Sequence, residues 1–181
     1  INQAGDLSGN FASNNGRHGF YLINRAGDSG TITSGGTIFQ SLTGTSNVAA
    51  SNATDGVRVR NRAYFAGSNV SQTLALHDST ITGNAFNGVL LWNTATSGGA
   101  LISQAATIDP SIITSNGRNG IYGFNAITSA TLSQTVAILD NRISYNGRDG
   151  IRLLTPSADA ATISQGVSIG GNRIADNVSN G

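Results

Sequence analysis

The chain has no lysine, no glutamate, no cysteine and no methionine among its 181 residues. Each absence removes a class of explanation. Lys, Glu and Met are good helix formers, and Lys and Glu are normally among the commonest residues. Their loss, beside 24 Gly and abundant Ser, Thr, Asn, Val and Ile, argues against helices and so against helical solenoids. Without Cys there are no disulfides and no thiolate metal sites, a usage that suits an exported protein avoiding misoxidation. All ten basic residues are Arg and all nine acids are Asp, for a net charge of +1. So small a net charge implies no bulk attraction to nucleic acid or to an anionic membrane. No apolar run reaches the roughly 18 residues of a spanning helix, so no membrane span is expected.

What the chain does contain is one frame, repeated six times: a Gln, an Asn twelve residues on, and a Gly four residues after that. The copies are Gln3/Asn15/Gly19, Gln40/Asn52/Gly56, Gln72/Asn84/Gly88, Gln104/Asn116/Gly120, Gln134/Asn146/Gly150 and Gln165/Asn177/Gly181. A fixed period near 30 residues marks a solenoid. Apolar residues hold fixed offsets within the frame. Ile38, Val70, Ile102, Leu132 and Ile163 stand two before the Gln, and Leu42, Leu74, Ala106, Val136 and Val167 two after it. Ile81, Ile113, Ile143 and Ile174 stand three before the Asn, while Phe20, Val57, Val89, Ile121 and Ile151 follow the Gly. Alternation of this kind is the period of a strand with every second side chain turned inward.

From first apolar position to last the coil spans 22 residues without insertion, and all length variation falls in one stretch of fifteen, ten, ten, eight or nine residues before the next copy. A parallel β-helix demands this pattern. Coils stacked at about 4.8 Å must keep one perimeter, whereas loops leaving a corner vary freely.

The segments Asn146-Gly147-Arg148-Asp149-Gly150-Ile151-Arg152-Leu153 and Asn116-Gly117-Arg118-Asn119-Gly120-Ile121, with Asn141-Arg142-Ile143-Ser144-Tyr145-Asn146 ahead of the first, resemble the right-handed parallel β-helix repeat. The likeness covers essentially the whole chain. It implies an all-β, right-handed, single-stranded parallel β-helix of about six coils, each a 22-residue core with a loop of 8–15 residues. Such a fold serves polysaccharide lyases, uronan epimerases, glycoside hydrolases, phage tailspikes and adhesin passengers, so the resemblance speaks for fold and not for function. The chain opens on a repeat at Ile1 and closes at Gly181 without an evident cap. The expectation is one domain, 1–181, taken from a longer polypeptide.

The ladders have physical readings. Asn15, Asn52, Asn84, Asn116, Asn146 and Asn177 are expected to stack at a corner, each amide bonding to backbone and to the Asn above and below. Asn24, Asn61, Asn93, Asn125 and then Thr155, five after each Gly, read the same way. Gln3, Gln40, Gln72, Gln104, Gln134 and Gln165 share the inward parity of their apolar neighbours. A buried unpaired amide costs about 1–3 kcal/mol, so a hydrogen-bonded Gln ladder is expected, or a bend that turns the column outward.

The residue before each Gly is His18, Asp55, Asn87, Asn119, Asp149 or Asn180, a set suited to bonding its own backbone at a turn. Asp78, Asp109 and Asp140 recur as turn residues. Calcium, the one metal these acids would suit, wants several oxygens and usually more than one carboxylate. The nonapeptide Gly/Asp repeat of calcium-binding β-rolls is absent, and no cofactor or metal is assigned.

The outward face of the strand after each Gly is the candidate binding surface. It carries Tyr21, Arg58, Leu90, Tyr122 and Arg152 two after the Gly, and Ile23, Arg60, Trp92, Phe124 and Leu154 four after it. A face this rich in aromatics, aliphatics and Arg departs from the polar default. Arg17, Arg118 and Arg148 border it from the preceding turn. Variable loops covering the face, a partner protein or second copy bound there, and a glycan stacked on rings and met by Arg are three readings of it. Catalysis would need acids and bases. The ten outward positions hold no Asp and no His; Tyr21 lies near His18 but no Asp recurs beside them on the same coil, His77 stands alone on another wall, and no catalytic residue is assigned.

These features point to an extracellular or cell-surface stalk resembling autotransporter passengers. It would bind itself, another surface protein or a glycan through this face and the variable loops, including the one from Ile23 to Thr37. The alternative is a polysaccharide-binding or polysaccharide-modifying β-helix protein.

Overall fold

The structure is a computed structural model that describes residues 1–27, 36–158 and 160–181. The middle of the Ile23–Thr37 stretch, residues 28–35, therefore lies outside the described residues. The chain winds rung upon rung. The first rung holds β1 (Asn2–Asp6), β2 (Phe11–Ser13) and β3 (Phe20–Ala26), the second β4 (Thr37–Thr45), β5 (Val48–Ala50) and β6 (Val57–Ala63). The third holds β7 (Asn69–His77), β8 (Thr80–Thr82) and β9 (Val89–Ala95), the fourth β10 (Leu101–Asp109), β11 (Ile112–Thr114) and β12 (Ile121–Thr128). The fifth holds β13 (Thr131–Leu139), β14 (Arg142–Ser144), β15 (Ile151–Leu154) and the short β16 (Ser157–Ala158), the last β17 (Thr162–Gly170) and β18 (Arg173–Ala175).

Strands stack into three parallel walls. β1-β4-β7-β10-β13-β17 form the first, β2-β5-β8-β11-β14-β18 the second and β3-β6-β9-β12-β15 the third, with β16 paired to β12. Register follows the frame: Gln40 pairs with Gln3 and Gln72, and Gln134 with Gln104 and Gln165. The fold is thus an all-β parallel solenoid, without a helix among the described residues. It encloses about four turns and not six. The outermost copies have a rung on one side only, which leaves inward positions such as Val167 and Ile169 about half exposed, at 45% and 51%.

The coil is also longer than its apolar alternation indicated. The third-wall strands run on to Ala26, Ala63, Ala95 and Thr128. The inward residue five after the Gly is an Asn, which interrupts the apolar pattern although the strand continues. Beyond it Ala26, Ala63, Ala95 and Ile127 are buried. The core therefore falls into two apolar columns. One contains Val59, Leu74, Ile81, Leu91, Ile108 and Ile113, the other Ala63, Val70, Ala95, Ile102, Ile127 and Leu132.

Between the columns runs a sheet of amides. Gln72 Nε2 donates to Gln40 Oε1 at 2.9 Å, Gln104 to Gln72 at 2.8 Å, and Gln134 to Gln104 at 2.7 Å. Asn24, Asn61 and Asn93 donate the other way along the axis, each to the next Asn, at 2.9, 2.9 and 2.7 Å. The second hydrogen of each Asn amide crosses the interior, as in Asn61 to Gln72 Oε1 at 2.8 Å. This Asn column thus lies mid-wall, facing the Gln column, and not at a corner. The two columns donate in opposite directions, so their amide dipoles oppose.

The corner Asn ladder satisfies every amide atom of its interior members. Asn84 Nδ2 donates to Asn116 Oδ1 at 2.9 Å and to the Ala49 carbonyl at 3.0 Å. Its Oδ1 accepts from Asn52 N and Nδ2 at 3.1 and 2.8 Å. The frame Gly is required for a steric reason. A Cβ on Gly88 would lie 2.6 Å from Ile113 Cγ2 and 2.7 Å from the Gly120 carbonyl oxygen. Asp78 and Asp140 occupy an exposed corner at φ of 47° and 56°, a left-handed conformation that Asp tolerates. Pro110 holds the equivalent position in the fourth rung and cannot adopt it, which accounts for Asp109 standing one step earlier in its rung than Asp78 and Asp140 do in theirs.

Candidate binding face

All ten outward residues lie in two adjacent columns on the third wall. Tyr21, Arg58, Leu90, Tyr122 and Arg152 are in register, as are Ile23, Arg60, Trp92, Phe124 and Leu154. Because β6 extends to Ala63, it adds Arg62 on the same side as Arg58 and Arg60. The ten do not act as one surface. Arg58, Leu90, Trp92, Tyr122 and Phe124 line a groove of about 390 Å³, whereas Tyr21, Ile23 and Leu154 flank it, exposed. Leu90 is only 6% exposed and forms part of the floor.

Ring contacts hold the groove in shape. Trp92 meets Phe124 edge to face at a centroid distance of 5.9 Å, and Phe124 meets Tyr122 at 6.1 Å. The guanidinium carbon of Arg60 lies 4.3 Å from the Trp92 ring centre and that of Arg58 5.1 Å. On the opposite rim Arg118 lies 4.2 Å over the Phe86 ring. Phe86 was not among the outward positions of the sequence. It sits in the turn between Asn84 and Gly88, where no period-two alternation flags it. A smaller depression of about 160 Å³, lined by Arg118, Tyr122, Arg148 and Arg152 with Asn87 and Asn119, adjoins the groove.

The residues before each Gly do not turn back to their own backbone. They bond to the preceding rung: Asn87 Nδ2 donates to Asp55 Oδ1 and Asn119 Nδ2 to Asn87 Oδ1, both at 2.9 Å. Rungs are close enough that a neighbour's amide outcompetes the local backbone. The same stacking supplies the acid that the coil of His18 does not place beside it. Asp55, one rung on, brings Oδ2 to 3.5 Å from His18 Nδ1 and 3.6 Å from Arg58 Nη1. Thr54 Oγ1 lies 2.6 Å from the same His18 nitrogen, and Arg58 Nη1 donates to His18 Nε2 at 3.3 Å. A guanidinium only donates, so Nε2 is an acceptor and His18 is neutral with its proton on Nδ1. Burial lowers the His18 pKa below 6.5, Arg58 and Arg17 lower it further, and Asp55 opposes them. Tyr21 completes the cluster with its ring 5.0 Å from the imidazole.

His77 likewise has a partner: its Nδ1 lies against a carboxylate oxygen of Asp109 on the next rung. Sequence spacing hid this contact, since the two paired residues stand 32 positions apart in the chain. Among the described residues no group of three or more His or Asp is placed to hold a metal ion.

Comparison with protein-family models, with curated proteins and with solved structures finds no match to this chain. The case for function therefore stands on the geometry of the third wall. Four N–H donors are buried there without an acceptor among the described residues: Nε of Arg58, Arg60 and Arg62, and Nε1 of Trp92. A buried donor left unpaired costs about 1–3 kcal/mol, so each of these groups calls for a partner such as a water, an ion or a ligand, and those of Arg58 and Arg60 lie against the Trp92 ring.

Proposed function

We propose that this chain is an extracellular or cell-surface β-helix stalk of the adhesin type, resembling autotransporter passengers, that binds a partner through the groove of its third wall. The stalk would be right-handed, following the rule for crossovers between parallel strands. The observation that carries the reading is the groove itself: Trp92, Phe124 and Tyr122 held in mutual contact, with Arg58 and Arg118 at its sides. Aromatics and Arg are the residues that anchor interfaces. Here they stand on a hydrogen-bonded wall, so little ordering remains to be done on binding.

A polysaccharide-modifying activity would draw on His18, Asp55 and Tyr21. Both His18 nitrogens are already engaged, by Thr54 and Asp55 on one side and Arg58 on the other. Such a closed set favours a structural part for His18 and leaves binding as the reading.

The test is capture of labelled chain on cell surfaces and extracellular matrix, compared with Trp92→Ala and Arg58→Ala. Each substitution should weaken capture by more than about tenfold, as removal of an interface anchor does. Equal capture of all three proteins would remove the groove from consideration.

A further inference from the structure

We infer that the groove recognises an acidic saccharide, and that Arg118, Arg148 and Arg152, with Tyr122, form the subsite for its carboxylate or sulfate group. This rests on the groove being the binding site, as proposed above. The first ground is charge. The net charge of the chain is +1, yet Arg58, Arg60, Arg62, Arg118, Arg148 and Arg152 gather on one wall and the turn before it. The acids among the described residues of that surface are Asp55 and Asp149, 3% and 7% exposed. Asp55 pairs with Arg58 at 3.6 Å and Asp149 with Arg152 at 3.5 Å. Arg118 and Arg148 have no acid within ion-pair distance among the described residues.

The second ground is shape. The guanidinium carbon of Arg118 lies 4.2 Å from the Phe86 ring centre, a contact that holds the group at the rim. It borders both the large groove and the smaller Arg-lined depression, as does Tyr122. One ligand can therefore meet a ring floor of Trp92, Tyr122 and Phe124 and an array of guanidinium donors together. Guanidinium groups match planar carboxylate and tetrahedral sulfate through paired hydrogen bonds.

The third ground separates a saccharide from other anions. Successive rungs lie about 4.8 Å apart, close to the advance of one pyranose unit in an extended chain. The rings of Trp92 and Phe124 belong to adjacent rungs, and so do Arg118 and Arg148. A linear acidic glycan along the solenoid axis would place about one sugar unit on each rung. A second copy of this cationic wall would instead be repelled.

Trp92 is the sole tryptophan, so its fluorescence reports on this groove alone. Titration is made with a galacturonic acid hexamer, a sulfated galactan hexamer, a neutral galactan hexamer and an oligo-aspartate peptide. An acidic hexamer should quench or shift the emission, the neutral one at least about tenfold more weakly, and added salt should reduce the difference. The stronger of the two acidic hexamers identifies the group as carboxylate or sulfate. The exposed substitution Arg148→Gln should cost about tenfold for that hexamer and leave the neutral one unchanged, while Arg118→Gln, which also borders the groove, should cost the acidic hexamer about tenfold and the neutral one less. Equal binding of acidic and neutral hexamers, or indifference to both substitutions, overturns the anion subsite while leaving the groove as a binding site. Binding of the peptide with no saccharide response overturns the saccharide. The groove itself fails in the separate cell-capture assay, if Trp92→Ala leaves that unchanged.

Discussion

Asn93 Nδ2 donates to Gln104 Oε1 at 2.9 Å across the interior, while Gln134 Nε2 donates to the same oxygen at 2.7 Å. One buried oxygen thus joins two walls and residues of three successive rungs. Gln104→Ala would leave both donors without it, in a site where Gln104 is 2% exposed. The expected loss is about 3 kcal/mol, from two unpaired donors and a cavity. Urea unfolding of the variant measures it; a loss below about 1 kcal/mol would mean that the amide sheet repacks or is hydrated.

The frame glycine makes a sharper contrast. Gly88→Ala places a methyl at 2.6 Å from Ile113 Cγ2 and 2.7 Å from a backbone oxygen. The backbone oxygen is held by the ladder, so the cost should be about 3 kcal/mol, at the upper end for overpacking. Gly98, where an added Cβ meets nothing closer than 3.8 Å, should accept Ala within about 0.5 kcal/mol. Equal melting shifts for the two variants would contradict the steric account.

His18 gives stability a pH dependence of definite sign. Its pKa in the folded chain is lowered from 6.5, so below that pH the unfolded chain binds the proton more readily. Stability contributed by neutral His18 is intact above pH 6.5 and is lost as the pH falls through 6.5 toward the lower folded value. The melting temperature should therefore drop over this range, and His18→Gln should flatten the drop. An unchanged slope in the variant would assign the effect to other groups.

Arg60 over Trp92, at 4.3 Å, should contribute modestly to stability and visibly to fluorescence. Arg60→Gln is expected to cost about 0.5–1 kcal/mol, the size of a partly exposed cation–π contact, and to change the emission of the single tryptophan. Identical spectra for variant and parent would mean the contact is not populated in solution.

These effects divide by how far their cause was readable. The corner Asn ladder and the stacked parallel walls follow from a frame that never slips. The third-wall strands were cut short in the sequence because Asn61 and its equivalents are polar yet inward; the Gln column facing them is what makes an inward amide tolerable. Phe86 carries no periodic signal, since it stands in a turn.

Sequence by itself determined the period, the register and which residues share a column, because a stacked coil of constant perimeter has one solution once its inward positions are set. Only the tertiary structure decided which side chains meet between rungs: Asp55 with His18, Asp109 with His77, Arg118 with Phe86. Alternation along a strand is local and legible at a spacing of two. Contact between rungs spans a whole coil and its variable loop, and the hydrogen bonds of the wall, not the spacing in the chain, bring those residues together.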